Sequence, residues 1–134
     1  MQQSPHRFTL RKSERLYERK AIEEVFEKGR SIKEMPFRTL WLMKKAEKGP
    51  SVKAAFSVPK KNFKRAVDRN LLKRRMREAY RKNKMIIADT FKSKEKECLI
   101  MFVYTANTIA EYAEIESKII LTLQRLLQYA TDSK

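Results

Sequence analysis

VPKKNFKRAVDRNLLKRRMREAY, residues 58–80, decides how this chain is read. It opens on the last residues of an apolar, β-rich run, VKAAFSVP (52–59), whose Pro59 cannot continue a sheet ladder. A basic stretch follows, and then a helical pattern predicted over roughly 66–87. Downstream, CLIMFVY (98–104) is a continuous apolar run of the length of a strand buried on both faces. Strand, helix and buried strand in that order make the chain α/β.

The rest of the sequence fits around this unit. A first helix is predicted over about 18–28, with Ile22, Val25 and Phe26 at helical spacing and Gly29 as its stop signal. FRTLWLM (37–43) reads as a strand, AEKGPS (46–51) as a turn, and the strand at 52–59 as its hairpin partner. A closing helix from about Glu111 to Tyr129 carries Ile115, Ile119, Leu123 and Leu126 on one face. The order is helix, two or three strands, helix, strand, helix, around a small mixed sheet. At 134 residues the chain reads as one domain, 1–134, with residues 1–12 as a loose basic arm.

On a helical wheel, Leu72, Met76, Ala79, Asn83 and Ile86 fall within roughly 80°, with Tyr80 at the edge. That stripe is core. Arg69, Asn70, Lys73, Arg74, Arg77, Arg81 and Lys84 share an arc of roughly 140° with no carboxylate among them. A helix selected for stability would interleave Glu and Lys, since like charges at i,i+4 cost a few tenths of a kcal/mol per pair. Lys73–Arg77 and Arg77–Arg81 are both such pairs. Residues 60–84 hold twelve Lys and Arg against Asp68 and Glu78, so +10 of the net charge of +16 lies in this stretch. Charge so placed calls for a polyanion, and arginine's planar fork suits phosphate oxygens.

Other partners and activities fit less well. A membrane-surface helix would keep its apolar side exposed, whereas this stripe is needed for the core of a small domain. No apolar stretch approaches the ~20 residues of a membrane span, and the N-terminus lacks the apolar core of a signal peptide. Cys98, the only cysteine, sits in the apolar run and reads as buried and reduced, so a cytoplasmic setting is expected. The only histidine is His6, the acids are scattered, and Gly29 and Gly49 cannot make a phosphate loop, so no catalytic or metal site is expected on the protein itself. DNA-groove readers need a helix-turn-helix pair or a zinc site, and neither is present. Aromatic residues beside a basic helix suit RNA, where splayed bases stack; Phe26, Phe37 and Trp41 are candidates. The alternation leaves open which face of the sheet Trp41 takes.

The stretch at 58–80 resembles the signature of the protein subunit of bacterial ribonuclease P. Ala66-Val67, Arg69-Asn70, Lys73-Arg74 and Arg77 match that family's motif in register, VFEKGRS (25–31) fits ahead of the first strand, and the likeness covers about residues 10–129. The resemblance implies a two-layer sandwich, a mixed sheet of about four strands with three helices, and a left-handed β-α-β crossover. It implies binding to the catalytic RNA by Lys60, Lys61, Arg69, Asn70, Lys73, Arg74, Arg77 and Arg81. It also implies a cleft for the single-stranded 5′ leader of precursor tRNA, with Ile22, Phe26, Phe37, Trp41 and Ser57. Ile22 stands where relatives often have phenylalanine. Phosphodiester hydrolysis would belong to the RNA and its Mg²⁺, with no cofactor bound by the protein. A ribosomal or RNA-chaperone protein using the same basic helix is the alternative reading.

Overall fold

The apolar run at 98–104 is the middle of the molecule. The computed structural model of the chain describes residues 14–45, 51–94 and 96–132; the basic arm expected at 1–12, with His6, and the turn residues 46–50 lie outside the described residues. Along these the elements are α1 (Arg19–Lys28), β1 (Arg30–Glu34), β2 (Phe37–Lys45), β3 (Ser51–Ser57), α2 (Ala66–Asn83), α3 (Met85–Lys94), β4 (Lys96–Tyr104) and α4 (Tyr112–Asp132). The sheet order is β1-β2-β4-β3. β2 runs antiparallel to β1 and β4, and β3 runs parallel to β4.

The expected hairpin between 37–43 and 52–59 does not form, because β4 lies between those strands. β4 is apolar on both sides, with Cys98, Ile100, Phe102 and Tyr104 on one face and Leu99, Met101 and Val103 on the other. Such a strand is most stable with a neighbour on each edge and a layer on each face. β3 then reaches β4 only through a crossover, which α2 and α3 provide.

The helix predicted over 66–87 is two helices, so there are four in all among the described residues. Past Asn83 the chain turns at Lys84 and starts α3, whose Ile87 and Phe91 are buried. Lys84 itself turns inward, and its Nζ donates to Glu14 Oε2 at 2.8 Å.

One face of the sheet packs on the buried stripes of α2 and α4, with Leu72, Met76, Tyr80, Ile115, Ile119 and Leu123. Phe102 is the hub of this core, in ring contact with Phe37, Phe56 and Tyr80 at centroid distances of 6.0, 5.4 and 5.7 Å. The other face meets only the smaller cluster of Leu16, Val25, Leu40, Leu99 and Met101.

α1 covers that second face by crossing the strands. Arg30, Trp41, Ile100 and Ala54 form one row across all four strands. α1 enters beside Ala54, which bridges Arg15, and leaves through Gly29 into Arg30. Ten helical residues span about 15 Å, which matches the roughly 14 Å across four strands. Gly29 ends the helix as expected, for a different reason than a left-handed cap. Its backbone is extended, with φ −74°, and a side chain there would run into the Val25 carbonyl oxygen.

Cys98 is fully buried, and that burial pushes its thiol well above the usual range. The thiolate is the reactive form. Iodoacetamide at mildly alkaline pH should therefore leave native Cys98 unmodified and alkylate it at the free-thiol rate once urea unfolds the chain. Fast labelling of the native protein, read by mass spectrometry, would contradict this packing.

Candidate RNA interface

The loop leading into α2 is held rigidly. Phe63 is buried against Tyr104, with ring centroids 5.8 Å apart. Arg69 Nη1 donates to the carbonyl oxygens of Phe63 (2.8 Å) and Lys64 (2.9 Å). Asn62 donates through its backbone N–H to the Pro59 carbonyl at 3.2 Å and through Nδ2 to the Thr105 carbonyl at 3.4 Å. Lys60, Lys61, Lys64 and Arg65 therefore project into solvent from a fixed backbone.

The cations of α2 divide by what they touch. Arg75 donates to the Ala110 carbonyl at 2.6 Å, and Lys82 lies over the Tyr112 ring. Both tie α2 to the start of α4. Arg81 forms a fork with Glu78, Nη2 to Oε2 at 2.6 Å. That hydrogen bond holds the Glu78 carboxyl below its usual range and raises the Arg81 guanidinium. The predicted arc thus has a carboxylate at its border after all. Lys84 leaves the arc because the helix has ended, and Arg69 serves the loop carbonyls. Asn70, Lys73, Arg74 and Arg77 have no hydrogen bond or ion pair among the described residues, and Asn70, Arg74 and Arg77 are exposed. Three cations and an amide on two turns of one helix are left for something outside the chain.

The second surface lies beside α1. Glu24 accepts from Lys44 Nζ at 3.0 Å, which fixes the rotation of the helix. Ile22 and Phe26, each two positions from Glu24, are turned roughly 160° from it and point to the opposite flank. The sheet rows on that flank are Ser31–Leu40–Met101–Ala55 and Lys33–Arg38–Val103–Ser57. The result is a cleft with Ile22 and Phe26 on its wall and the half-buried Val103 and Ser57 along its floor, next to the buried Leu40 and Met101. Phe26 is 54% exposed, an aromatic ring left in water at the lip.

Two of the residues expected in this cleft are not there. Phe37 and Trp41 alternate with Arg38 and Leu40, so they point through the sheet into the core beneath α4. Phe37 packs edge-on to Phe102, and Trp41 stacks on Tyr129 with the Arg30 guanidinium 5.7 Å from its ring centroid. That register also places two cations the sequence reading missed. Lys33 and Arg38 are directly paired across β1 and β2, both exposed. Like charges so placed are destabilising. The signal was the alternation itself: Arg38, Leu40 and Leu42 share one side of β2. The cleft thus has an apolar middle and cations at both ends, Lys33 and Arg38 at the β1 side, Lys60 and Lys61 beyond Ser57 at the β3 side.

Elsewhere the acids serve as counter-ions: Glu34 pairs with Arg125 at 2.8 Å and Glu97 with Lys53 at 3.6 Å. No group of three or more His, Cys, Asp or Glu side chains that could hold a metal ion occurs among the described residues. No helix there is long and apolar enough to cross a membrane.

Comparison with known proteins converges on one family. The ribonuclease P family profile matches residues 10–127. A ribonuclease P protein component from Porphyromonas gingivalis is 34% identical over 123 residues, 92% of this chain and 90% of the relative. One from Chlorobium phaeobacteroides is 39% identical over 82 residues, 59% of this chain and 56% of the relative. Among solved structures, the RNase P protein of Thermotoga maritima superposes with a TM-score of 0.65 at 25% identity, over 84% of this chain and 96% of that one. The Staphylococcus aureus RNase P protein gives 0.64 at 21% identity, over 86% and 96%. With a family match over nearly the whole chain, a relative aligned over about nine-tenths of both chains and the fold in common, the chain belongs to the ribonuclease P protein family and is the protein subunit of that enzyme.

Proposed function

We propose that the exposed face of α2 and the loop at 59–65 bind the catalytic RNA of ribonuclease P, while the cleft beside α1 holds the single-stranded 5′ leader of precursor tRNA. The observation that carries this reading is the separation of two surfaces of different chemistry. One is a row of cations on a rigid helix and loop, suited to phosphates at fixed spacing. The other is an apolar trough with an exposed aromatic ring and cations at each end, suited to unpaired bases and their backbone. In this reading Mg²⁺ held by the RNA supplies the phosphodiester hydrolysis. The protein's share is to neutralise phosphates and to hold the leader. Fixed cations replace condensed counterions, so the holoenzyme should need less Mg²⁺ than the RNA alone.

Reconstitution with a bacterial ribonuclease P RNA tests the whole reading. The protein alone should leave precursor tRNA intact, and the reconstituted particle should remove the leader at Mg²⁺ concentrations where the RNA alone is slow. Cleavage that survives exhaustive ribonuclease treatment of the protein would refute the assignment of chemistry to the RNA.

Arg77 and Arg75 sit two residues apart and should behave differently. Arg77→Ala removes one phosphate contact, so the log–log salt dependence of binding to the catalytic RNA should flatten by about 0.7–0.9, with an unchanged melting temperature. Arg75→Ala removes the bond to the Ala110 carbonyl, so it should lower the melting temperature and leave the slope alone. Identical effects from the two substitutions would mean that the charge acts diffusely.

Phe26→Ala separates the two surfaces. A base stacked on this ring contributes about 1–3 kcal/mol, so affinity of the holoenzyme for precursor tRNA should fall roughly five- to a hundredfold. Mature tRNA, which has no leader, should bind as before. Because the ring is exposed, little stability should be lost. Parallel losses for both tRNAs would remove Phe26 from the leader path.

A further inference from the structure

We infer that a groove around the outer edge of β3 takes one unpaired nucleotide, its base stacked on Tyr17 and its phosphate held by Arg15 and Arg77. The inference rests on the ribonuclease P reading and adds a site to it. The groove measures about 400 Å³, and its walls are Arg15 and Tyr17 on one side and Arg77 of α2 on the other. Its floor is the β3 segment Ala54–Ala55–Phe56.

The local chain explains why these groups meet. Residues 15–17 lie extended along β3: Arg15 bridges Ala54, and the Leu16 N–H donates to the Ala54 carbonyl at 2.9 Å. Side chains alternate in extended chain. Leu16 goes inward and is buried, so Arg15 and Tyr17 emerge together on the other side. Tyr17 is left 62% exposed, although a large ring ordinarily finds a place in the core. The adjoining Ala54 is small enough for a flat group to approach the ring. Two guanidinium groups border the groove, and no carboxylate lines it among the described residues. Planar forks beside an aromatic face suit a phosphate joined to a base.

The site is distinct from the leader cleft. It lies where residues 15–17 run along the outer edge of β3 and opens toward α2, whereas the cleft lies on the far flank of α1 and runs toward β1. An unpaired nucleotide could come from the catalytic RNA, which α2 faces, or from the leader. The chemistry of recognition is the same.

The test uses the holoenzyme reconstituted with bacterial ribonuclease P RNA. Native protein must first activate that RNA; if it does not, the reading under Proposed function fails and the groove assignment falls with it. If it does, Tyr17→Ala should weaken RNA binding about five- to hundredfold, and Tyr17→Phe, which keeps the ring, should restore it. Loss of affinity for the catalytic RNA itself assigns the nucleotide to that RNA. Loss only in the preference for precursor over mature tRNA assigns it to the leader. Native-like binding in both assays overturns the groove while leaving the rest standing. Should Tyr17→Ala also lower the melting temperature, Tyr17→Trp decides: its emission should be quenched as RNA is added, with native protein subtracting any signal from the buried Trp41. Unchanged emission overturns the proposal.

Discussion

Everything in this fold follows from the need to bury β4 on both sides. Its two rows of apolar side chains demand a neighbouring strand at each edge and a layer on each face. The two long helices α2 and α4, with the shorter α3, cover one face. The other receives only α1, whose ten residues just bridge the sheet. A short helix laid across the strands covers a band and leaves sheet uncovered on either flank. The cleft is therefore a consequence of incomplete coverage, and its floor at Val103 and Ser57 is the part of β4 and β3 that α1 does not bury.

α2 meets a different balance. Its buried stripe, Leu72, Met76, Ala79 and Tyr80, gains enough from the core to carry a row of like charges on the outside. The repulsion costs tenths of a kcal/mol per pair, against roughly 1.5–3 kcal/mol for each large apolar side chain buried. The scaffold draws some cations into its own service, since a guanidinium donating to backbone carbonyls rigidifies a loop that would otherwise move. Arg69 does this in the loop entering α2, and Arg75 does it in the connection between β4 and α4. What remains exposed is thereby positioned by what has been committed.

The second face also shows why charge and exposure alone do not reveal a site. Lys33 and Arg38 look unremarkable along the chain, more than twenty residues before the basic stretch. Strand pairing sets them side by side at the end of an apolar trough. The same pairing sends Phe37 and Trp41, which looked like stacking platforms, into the core.

Sequence periodicity by itself determined the elements that are local: α1 with its stop at Gly29, the buried stripe and cationic arc of α2, the doubly apolar β4, and the inward face of α4. Each of these depends on spacing within a few residues, and side-chain burial follows the helical or strand period directly. The motif at 58–80 likewise pointed to the family before any geometry was known. Tertiary structure alone decided which strand neighbours which, because a parallel pair such as β3 and β4 is joined by residues far apart and leaves no turn signature. It decided which side of β2 faces the cleft, since alternation defines two sides without saying which one a helix will cover. It also ended α2 at Lys84, where no glycine or proline marks a stop.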